Sequence, residues 1–265
     1  MKLELVSKEK GNQKACFEVD GVDYWFLNSM RRLMANEVPV LAIEDVEFRK
    51  NDSALYDEII ALRLGLLPLT TELKSLSLKE NCTCKGAGCG QCQVVMSLKE
   101  KGPKMVYAKH IKFKDPKIEC VYPEMPIVKL DKNQELEFEA IAVLGKGKEH
   151  VKWSPGLIYY KYYPLLKITE KCKDGCKACV EACPQGILES KGGKLSINDK
   201  KLLDCHLCKA CVEACPHGSV KLEQDETKHV LYIESWGQLS FKDIGLEATE
   251  IFENKLLELA KLIKK

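Results

Sequence analysis

Eight cysteines fall into two runs of almost equal spacing, and nothing else in this 265-residue chain restricts its folding as tightly. The first run is Cys172-x3-Cys176-x2-Cys179-x3-Cys183-Pro184, and the second is Cys205-x2-Cys208-x2-Cys211-x3-Cys215-Pro216. The second run fits the ligand spacing that holds cuboid iron–sulfur clusters, proline included, while the first has one extra residue at Asp174-Gly175. Both repeat Cys-Lys-Ala-Cys-Val-Glu-Ala-Cys-Pro-x-Gly, at 176–186 and 208–218, which implies two pseudo-symmetric halves. Three thiolates in one short loop reach three irons of a cluster. The fourth is expected to start a helix and point away, toward the other cluster. By that rule Cys172, Cys176, Cys179 and Cys215 hold one cluster, and Cys205, Cys208, Cys211 and Cys183 hold the other. Two four-thiolate zinc sites are the alternative, but zinc gains nothing from such tandem runs. Gly192-Gly193 should join Ile187-Leu188 to Leu195-Ser196-Ile197 as a hairpin.

A second constellation has a different shape. Cys82-x-Cys84-x4-Cys89-x2-Cys92, interleaved with Gly86, Gly88 and Gly90, can wrap one tetrahedral ion. A closed four-thiolate site has no open coordination position, so its role would be structural, with Zn2+ the leading candidate and a loop of reduced thiols the alternative. Cys16 and Cys120 stand apart and are expected to be buried, inert thiols. His206 and His217 lie among the cluster ligands, where cysteine already supplies the full count, and are expected around the site or on the surface.

The balance of charge narrows the function. A formal net charge of +2 provides no broad basic field for gripping nucleic acid, so contact with DNA is expected only through partners. Met1-Lys2-Leu3 runs directly into Glu4 without an apolar export segment, and the most apolar stretch, Ile59 to Leu69, is short and carries Arg63. A cytoplasmic protein without membrane contact is expected. So many cysteines at metal-ligand spacings then favour metal over disulfides.

Patterning along the chain predicts an α+β fold. Alternation over the first twenty residues suggests a hairpin turning at Gly11-Asn12. Phe26, Met30, Leu33 and Glu37 share a helical face, with Leu27 and Met34 beside it, and Pro39 ends the helix. Strands are expected at 40–48, 94–96, 127–128, 136–144, 157–163 and 230–234, and a second helix over 55–67. Gly145-Lys146-Gly147-Lys148 is expected to be a basic loop; it lacks the spacing of a phosphate-binding loop. Ser240 offers an N-cap, with Asp243 three residues on, to a terminal helix. Phe252, Leu256, Leu259 and Ile263 form a seam along it, fitting either a partner helix or the chain's own domain. No nucleophile elbow, zinc-protease helix or Asp-x-Asp-x-Asp cluster appears, so no catalytic residue is expected. Glu44, Asp45, Glu47, Asp57 and Glu58 are expected on solvated faces.

Several stretches together resemble a known family. They are Asn28-Ser29-Met30-Arg31-Arg32, Val38-Pro39-x-Leu41-Ala42-Ile43, Arg63 through Leu69, the 82–92 loop, Lys148 through Pro155, and Ile233-Glu234-Ser235-Trp236-Gly237. In this order, over nearly the whole length, the chain is similar to the D-type subunits of archaeal DNA-directed RNA polymerase. That family is akin to the third-largest subunit of eukaryotic RNA polymerase II and to the bacterial alpha N-terminal domain. The resemblance implies a non-catalytic assembly subunit of the nucleotidyltransferase complex. It also implies a split dimerisation domain (1–46 plus 224–265), a sheet-rich insert domain (47–167) carrying the zinc-type loop, and a small ferredoxin-like 2x[4Fe-4S] domain (168–223). Helices around Phe26–Glu37 and Asp243–Lys265 would pair with subunit L. Subunits N and P and the two large catalytic subunits would dock afterwards, and Arg31 and Arg32 would touch a large subunit. Members differ in cluster number, so one or two [4Fe-4S] clusters are implied, with a [3Fe-4S] form of one as a variant. From the cysteine spacing alone, the rival is an iron–sulfur electron-transfer subunit of an oxidoreductase. No flavin or nicotinamide signature accompanies it.

Overall fold

The computed structural model describes residues 1–9, 11, 13–169, 172 and 175–264. Among them the elements run, in chain order, β1 (Lys2–Lys8), β2 (Lys14–Asp20), α1 (Tyr24–Asn36), β3 (Pro39–Asn51), α2 (Asp57–Gly65), β4 (Val94–Lys101), β5 (Lys104–Tyr107), β6 (Lys112–Phe113), β7 (Pro126–Leu130), β8 (Glu135–Lys146), β9 (Gly156–Ile168), α3 (Ala178–Glu181), β10 (Leu188–Lys191), β11 (Lys194–Ile197), α4 (Ala210–Glu213), β12 (Val220–Ser235) and α5 (Phe241–Ile263). The class is α+β. No described helix is long and apolar enough to cross a membrane. Asn12 of the expected first turn and Asp174 of the extra ligand-loop residue lie outside the described residues.

The chain divides into two units. One comprises Met1–Ser7, Cys16–Asn28 and Tyr159–Tyr232; the other comprises Lys8–Ala15, Ser29–Ile158 and Ile233–Lys265.

The second of these is built on a sheet of order β3-β8-β4-β6. β3 and β8 pair antiparallel from Pro39↔Lys146 to Asn51↔Leu136, and β4 pairs with β8 from Val94↔Ala142 to Lys101↔Glu135. Side chains alternate across a strand, so Val94, Met96 and Leu98 of β4 fall on the same face as Leu136, Phe138, Ala140 and Ala142 of β8. Ile60 and Leu64 of α2, with Leu67 and Leu69, belong to the same buried cluster. Burying a side chain such as Leu98 or Phe138 is worth about 1.5–3 kcal/mol, so this face anchors the unit.

Helix α1 closes where expected: the amides of Glu37 and Val38 both donate to the Leu33 carbonyl, and Pro39 opens β3. Glu37 is therefore outside the helix, paired with Lys255 at 3.1 Å and with Lys146 and Lys148 at 3.6 Å. The expected basic loop at 145–148 is thus corrected. β8 continues through Lys146, because Gly145 and Lys146 pair with Val40 and Pro39, and only residues 147–149 turn. A Cβ on Gly147 would stand 2.2 Å from the Ala35 carbonyl oxygen, which explains the glycine.

Helix α5 is capped by Ser240, whose Oγ accepts from the Asp243 amide at 3.2 Å and donates to the Asp243 carboxylate at 2.6 Å. Its first half buries Ile244 and Ala248. Its second half presents Leu256, Leu259 and Ile263 at 49%, 52% and 76% exposure. Lys265, expected in its last turn, lies outside the described residues.

The other unit carries a sheet of order β1-β2-β12-β9 and the hairpin β10–β11. The hairpin pairs Leu188↔Ile197 through Lys191↔Lys194, and Gly192 and Gly193 both take left-handed φ, the conformation its two-residue turn demands. Helices α3 and α4 share the sequence Ala-Cys-Val-Glu. They correct one expectation: the short helix in each half contains the third cysteine of its run, Cys179 or Cys211, and the fourth cysteine follows it instead of starting one. The proline after Cys183 and Cys215 has no amide hydrogen to donate, so the chain leaves the helix there and turns.

Candidate metal centres

The four-cysteine loop is drawn into a compact set. The sulfurs of Cys82, Cys84, Cys89 and Cys92 all lie within 4.8 Å of one another. Cys82–Cys84 is 3.4 Å, Cys82–Cys89 3.5 Å, Cys84–Cys92 3.6 Å and Cys89–Cys92 4.0 Å. Zinc–sulfur bonds of ~2.3 Å at tetrahedral angles place sulfurs ~3.8 Å apart, so these separations fit a single tetrahedral ion. The fold draws the four together through short-range backbone bonds, including the Cys92 amide on the Cys89 carbonyl at 3.0 Å and the Cys89 amide on the Cys92 sulfur at 3.3 Å. Gly88 takes φ +90°, and a Cβ there would lie 2.5 Å from the Gln93 side-chain oxygen. Cys82 and Cys84 share their protons unevenly. Cys84 is pulled down to about 6, first by its hydrogen bond with Cys82 and then by the Gly88 amide. The Cys84 amide pulls Cys82 down, but the Cys84 side chain together with burial outweighs it and pushes Cys82 up to about 11.

The two tandem runs are arranged differently. Cys183, Cys205, Cys208 and Cys211 line one cavity, closed on its apolar side by Leu166 and Leu188. Burial pushes the Cys211 thiol up to about 11, and the neighbouring thiolates of Cys183, Cys205 and Cys208 add to the rise. Burial likewise raises Cys179, and the thiolates that act on it are Cys215, Cys172 and Cys176. The fourth cysteine of each run thus neighbours the other run. Burial opposes ionisation of Cys215, but the amides of Ser219, His217 and Val220 outweigh it and hold its thiol below the ordinary value. The Ser219 amide donates directly to the Cys215 sulfur at 3.2 Å. The halves repeat in detail: Gly186 and Gly218 both take φ +58°, and each donates to the carbonyl of its fourth cysteine. They differ at Lys177, with φ −118°, and Lys209, with φ +62°. Donor set, buried apolar wall and amide–sulfur bonding all suit iron–sulfur clusters.

Other singled-out residues are placed as follows. Cys16 and Cys120 are buried thiols raised by that burial, Cys120 to about 12. His206 is exposed and His217 half-buried. Glu44, Asp45, Glu47, Asp57 and Glu58 fall on the solvated side as expected, Glu44 being paired to Lys152 and Asp45, Asp57 and Glu58 exposed. Met30 and Leu33 of α1 are buried within this chain, Phe26 and Arg31 are half-buried, and Arg32 is exposed. On α5, Phe252 is half-buried, and the rest of the seam is uncovered. Two residues that no motif flagged stand out, and one of them, Lys161, touches the cysteine-rich segment. Lys161 donates to the carbonyls of Leu203 and Cys205, and His229 is wholly buried among Tyr160 and Tyr162. A lysine and a histidine in alternating strands carry no spacing signal, so only packing reveals them.

Comparison with known proteins supports iron–sulfur binding by the second cysteine-rich segment. A profile described as the RNA polymerase Rpb3/RpoA insert domain matches residues 46–158, and one described as a 4Fe-4S dicluster domain matches residues 171–220. The chain is similar to DNA-directed RNA polymerase subunit Rpo3 of Methanothermobacter thermautotrophicus, 40% identical over 257 residues and 96% of each chain. It is 38% identical to Rpo3 of Methanosphaera stadtmanae over 262 residues and 96% of each chain. With Rpo3 of Archaeoglobus fulgidus it shares 36% over 266 residues, 100% of this chain and 99% of the other.

Proposed function

Because the chain belongs to the Rpo3 family of DNA-directed RNA polymerase subunits, we propose that it is an assembly subunit with no active site of its own. In this reading it forms a heterodimer with subunit L in the cytoplasm, and the pair is the platform for subunits N and P and then the two large subunits. The observation that carries it is the uncovered half of α5. In a chain of this family, Leu256, Leu259 and Ile263 form an apolar row at 49–76% exposure on a helix whose first half is anchored. An apolar row of that kind is expected to be covered by a partner helix. Phe26, Met30, Leu33 and Phe252 are assigned to the same interface with L. Arg31 and Arg32 would meet a large subunit.

The metal assignments belong to the same proposal. Cys82, Cys84, Cys89 and Cys92 would hold one Zn2+, which cross-links a loop with little core of its own. Cys172, Cys176, Cys179 and Cys215 would hold one [4Fe-4S] cluster, and Cys183, Cys205, Cys208 and Cys211 a second. Metal–thiolate bonds would supply folding energy to loops that bury little. Co-expression with subunit L, size measurement and anaerobic metal analysis test the whole. Leu256→Glu is expected to abolish co-purification with L, a loss of at least about tenfold in association, while iron content and cluster absorbance remain. Retention of L by this variant would remove α5 from the interface. A parent chain that ignores L and instead passes electrons to an enzyme would end the assembly reading.

A further inference from the structure

Lys161, in the middle of β9, does not reach solvent freely. Its ammonium donates to the Leu203 carbonyl and, at 3.2 Å, to the carbonyl of Cys205. The Tyr232 hydroxyl of β12 donates to the same Leu203 carbonyl at 3.2 Å, and the ammonium lies 5.3 Å from the centroid of the Tyr232 ring. One cation is therefore held by two backbone oxygens and an aromatic face at the entry to the loop that presents Cys205. Burial lowers the pKa of Lys161 from its ordinary value, and the Cys205 thiol, the exposed Asp204 carboxylate and the buried Cys16 thiol act against that and favour its charge. A half-buried lysine costs free energy unless a negative group compensates it.

We propose that Lys161 is a positioning residue for the centre assigned to Cys183, Cys205, Cys208 and Cys211, where its fixed positive charge favours the reduced state. This inference rests on that ligand assignment. Four thiolates around a [4Fe-4S]2+ core carry a net charge of 2−, and uptake of one electron makes it 3−. A fixed cation stabilises the more negative state more strongly, so it raises the reduction potential. Removing the lysine charge leaves Asp204 uncompensated, which acts in the same direction.

The test uses the full chain with its partner subunit, purified anaerobically, with iron and sulfide counted. Reduction by dithionite, which supplies the electron, is followed by electron paramagnetic resonance at poised potentials. Lys161→Gln keeps a donor without the charge, Lys161→Met removes both, and Lys161→Arg keeps the charge. With iron and sulfide as in the parent, the Gln and Met variants are expected to lower one midpoint and leave the other in place. The expected effect is about tenfold in the reduction equilibrium, or ~59 mV for one electron, the size that unit charges ~10 Å apart give at an effective dielectric near ~20. Lys161→Arg should match the parent. Unmoved midpoints in fully loaded Gln and Met variants, or an Arg variant shifted as far as Gln, would overturn the proposal. A parent chain without a second cluster would overturn the ligand assignment and this inference together, a result that iron analysis distinguishes from an unmoved potential.

Discussion

His229 sits on β12 with no exposed surface, and among the described residues neither ring nitrogen has a hydrogen-bond partner. The rings of Tyr162 and Tyr160 pack on it at centroid distances of 5.0 and 5.8 Å. Burial lowers its pKa from the ordinary 6.5, and the charges of Asp225 and Asp23 only partly offset that. The unfolded chain then binds a proton at a higher pH than the folded one. Stability from this group is complete above about 6.5 and is lost as pH falls below that value toward the folded pKa. His229→Phe, which fills the same space without a titrating group, should flatten the pH dependence. The gap between the denaturation midpoints of parent and variant, both metal-loaded, is expected to be constant above about pH 7 and to widen toward about pH 5 in the variant's favour. Parallel pH profiles would show that His229 is not buried as a neutral ring. Such a residue is invisible to motif reading, because its burial comes from strands far apart in sequence.

The elements differ in how much of them local chemistry writes. Ser240 and Asp243 satisfy the first free amides of α5, and the chain pattern alone locates that start. Ser240→Ala should cost about 1 kcal/mol of helix stability, read from urea midpoints in the assembled complex, and a change near zero would mean that the cap is redundant. The ends of β8 are less legible. Gly145 and Lys146 look like a flexible turn in sequence, yet pairing with Val40 and Pro39 extends the strand over them. Trp153 closes over Gly145 so tightly that a Cβ would lie 2.3 Å from its ring. Glycine here marks a close approach and not a bend, a distinction that only the packed partner reveals. The fourth cysteine of each tandem run shows the same limit. Its spacing from the third is plain, but which side of the short helix it occupies depends on the turn that Pro184 and Pro216 impose.

At the largest scale the ferredoxin-like segment is two halves that complete each other. Cys183 acts on Cys205 and Cys211, and Cys215 acts on Cys179. On the proposed crossed assignment, Cys183→Ser should deplete the cluster of the second run, and Cys215→Ser that of the first. Each should remove up to half of the iron and one of two paramagnetic signals. Loss shared evenly between the two signals in both variants would contradict the crossing. The zinc-type loop should be indifferent to either change, since its four sulfurs come from one short stretch of chain, residues 82–92.

The likeness of the halves, the α+β class and the α5 cap could be read from the chain because each depends on residues a few positions apart. Over such distances backbone stereochemistry leaves few choices. The depth of His229, the grip of Lys161 on the Cys205 loop, the convergence of Lys146, Lys148 and Lys255 on Glu37, and the bare second half of α5 follow from another cause. They join residues tens to hundreds of positions apart, and their positions are set by which faces exclude water together. No spacing rule encodes that, because burial is a property of the packed whole and not of any segment within it.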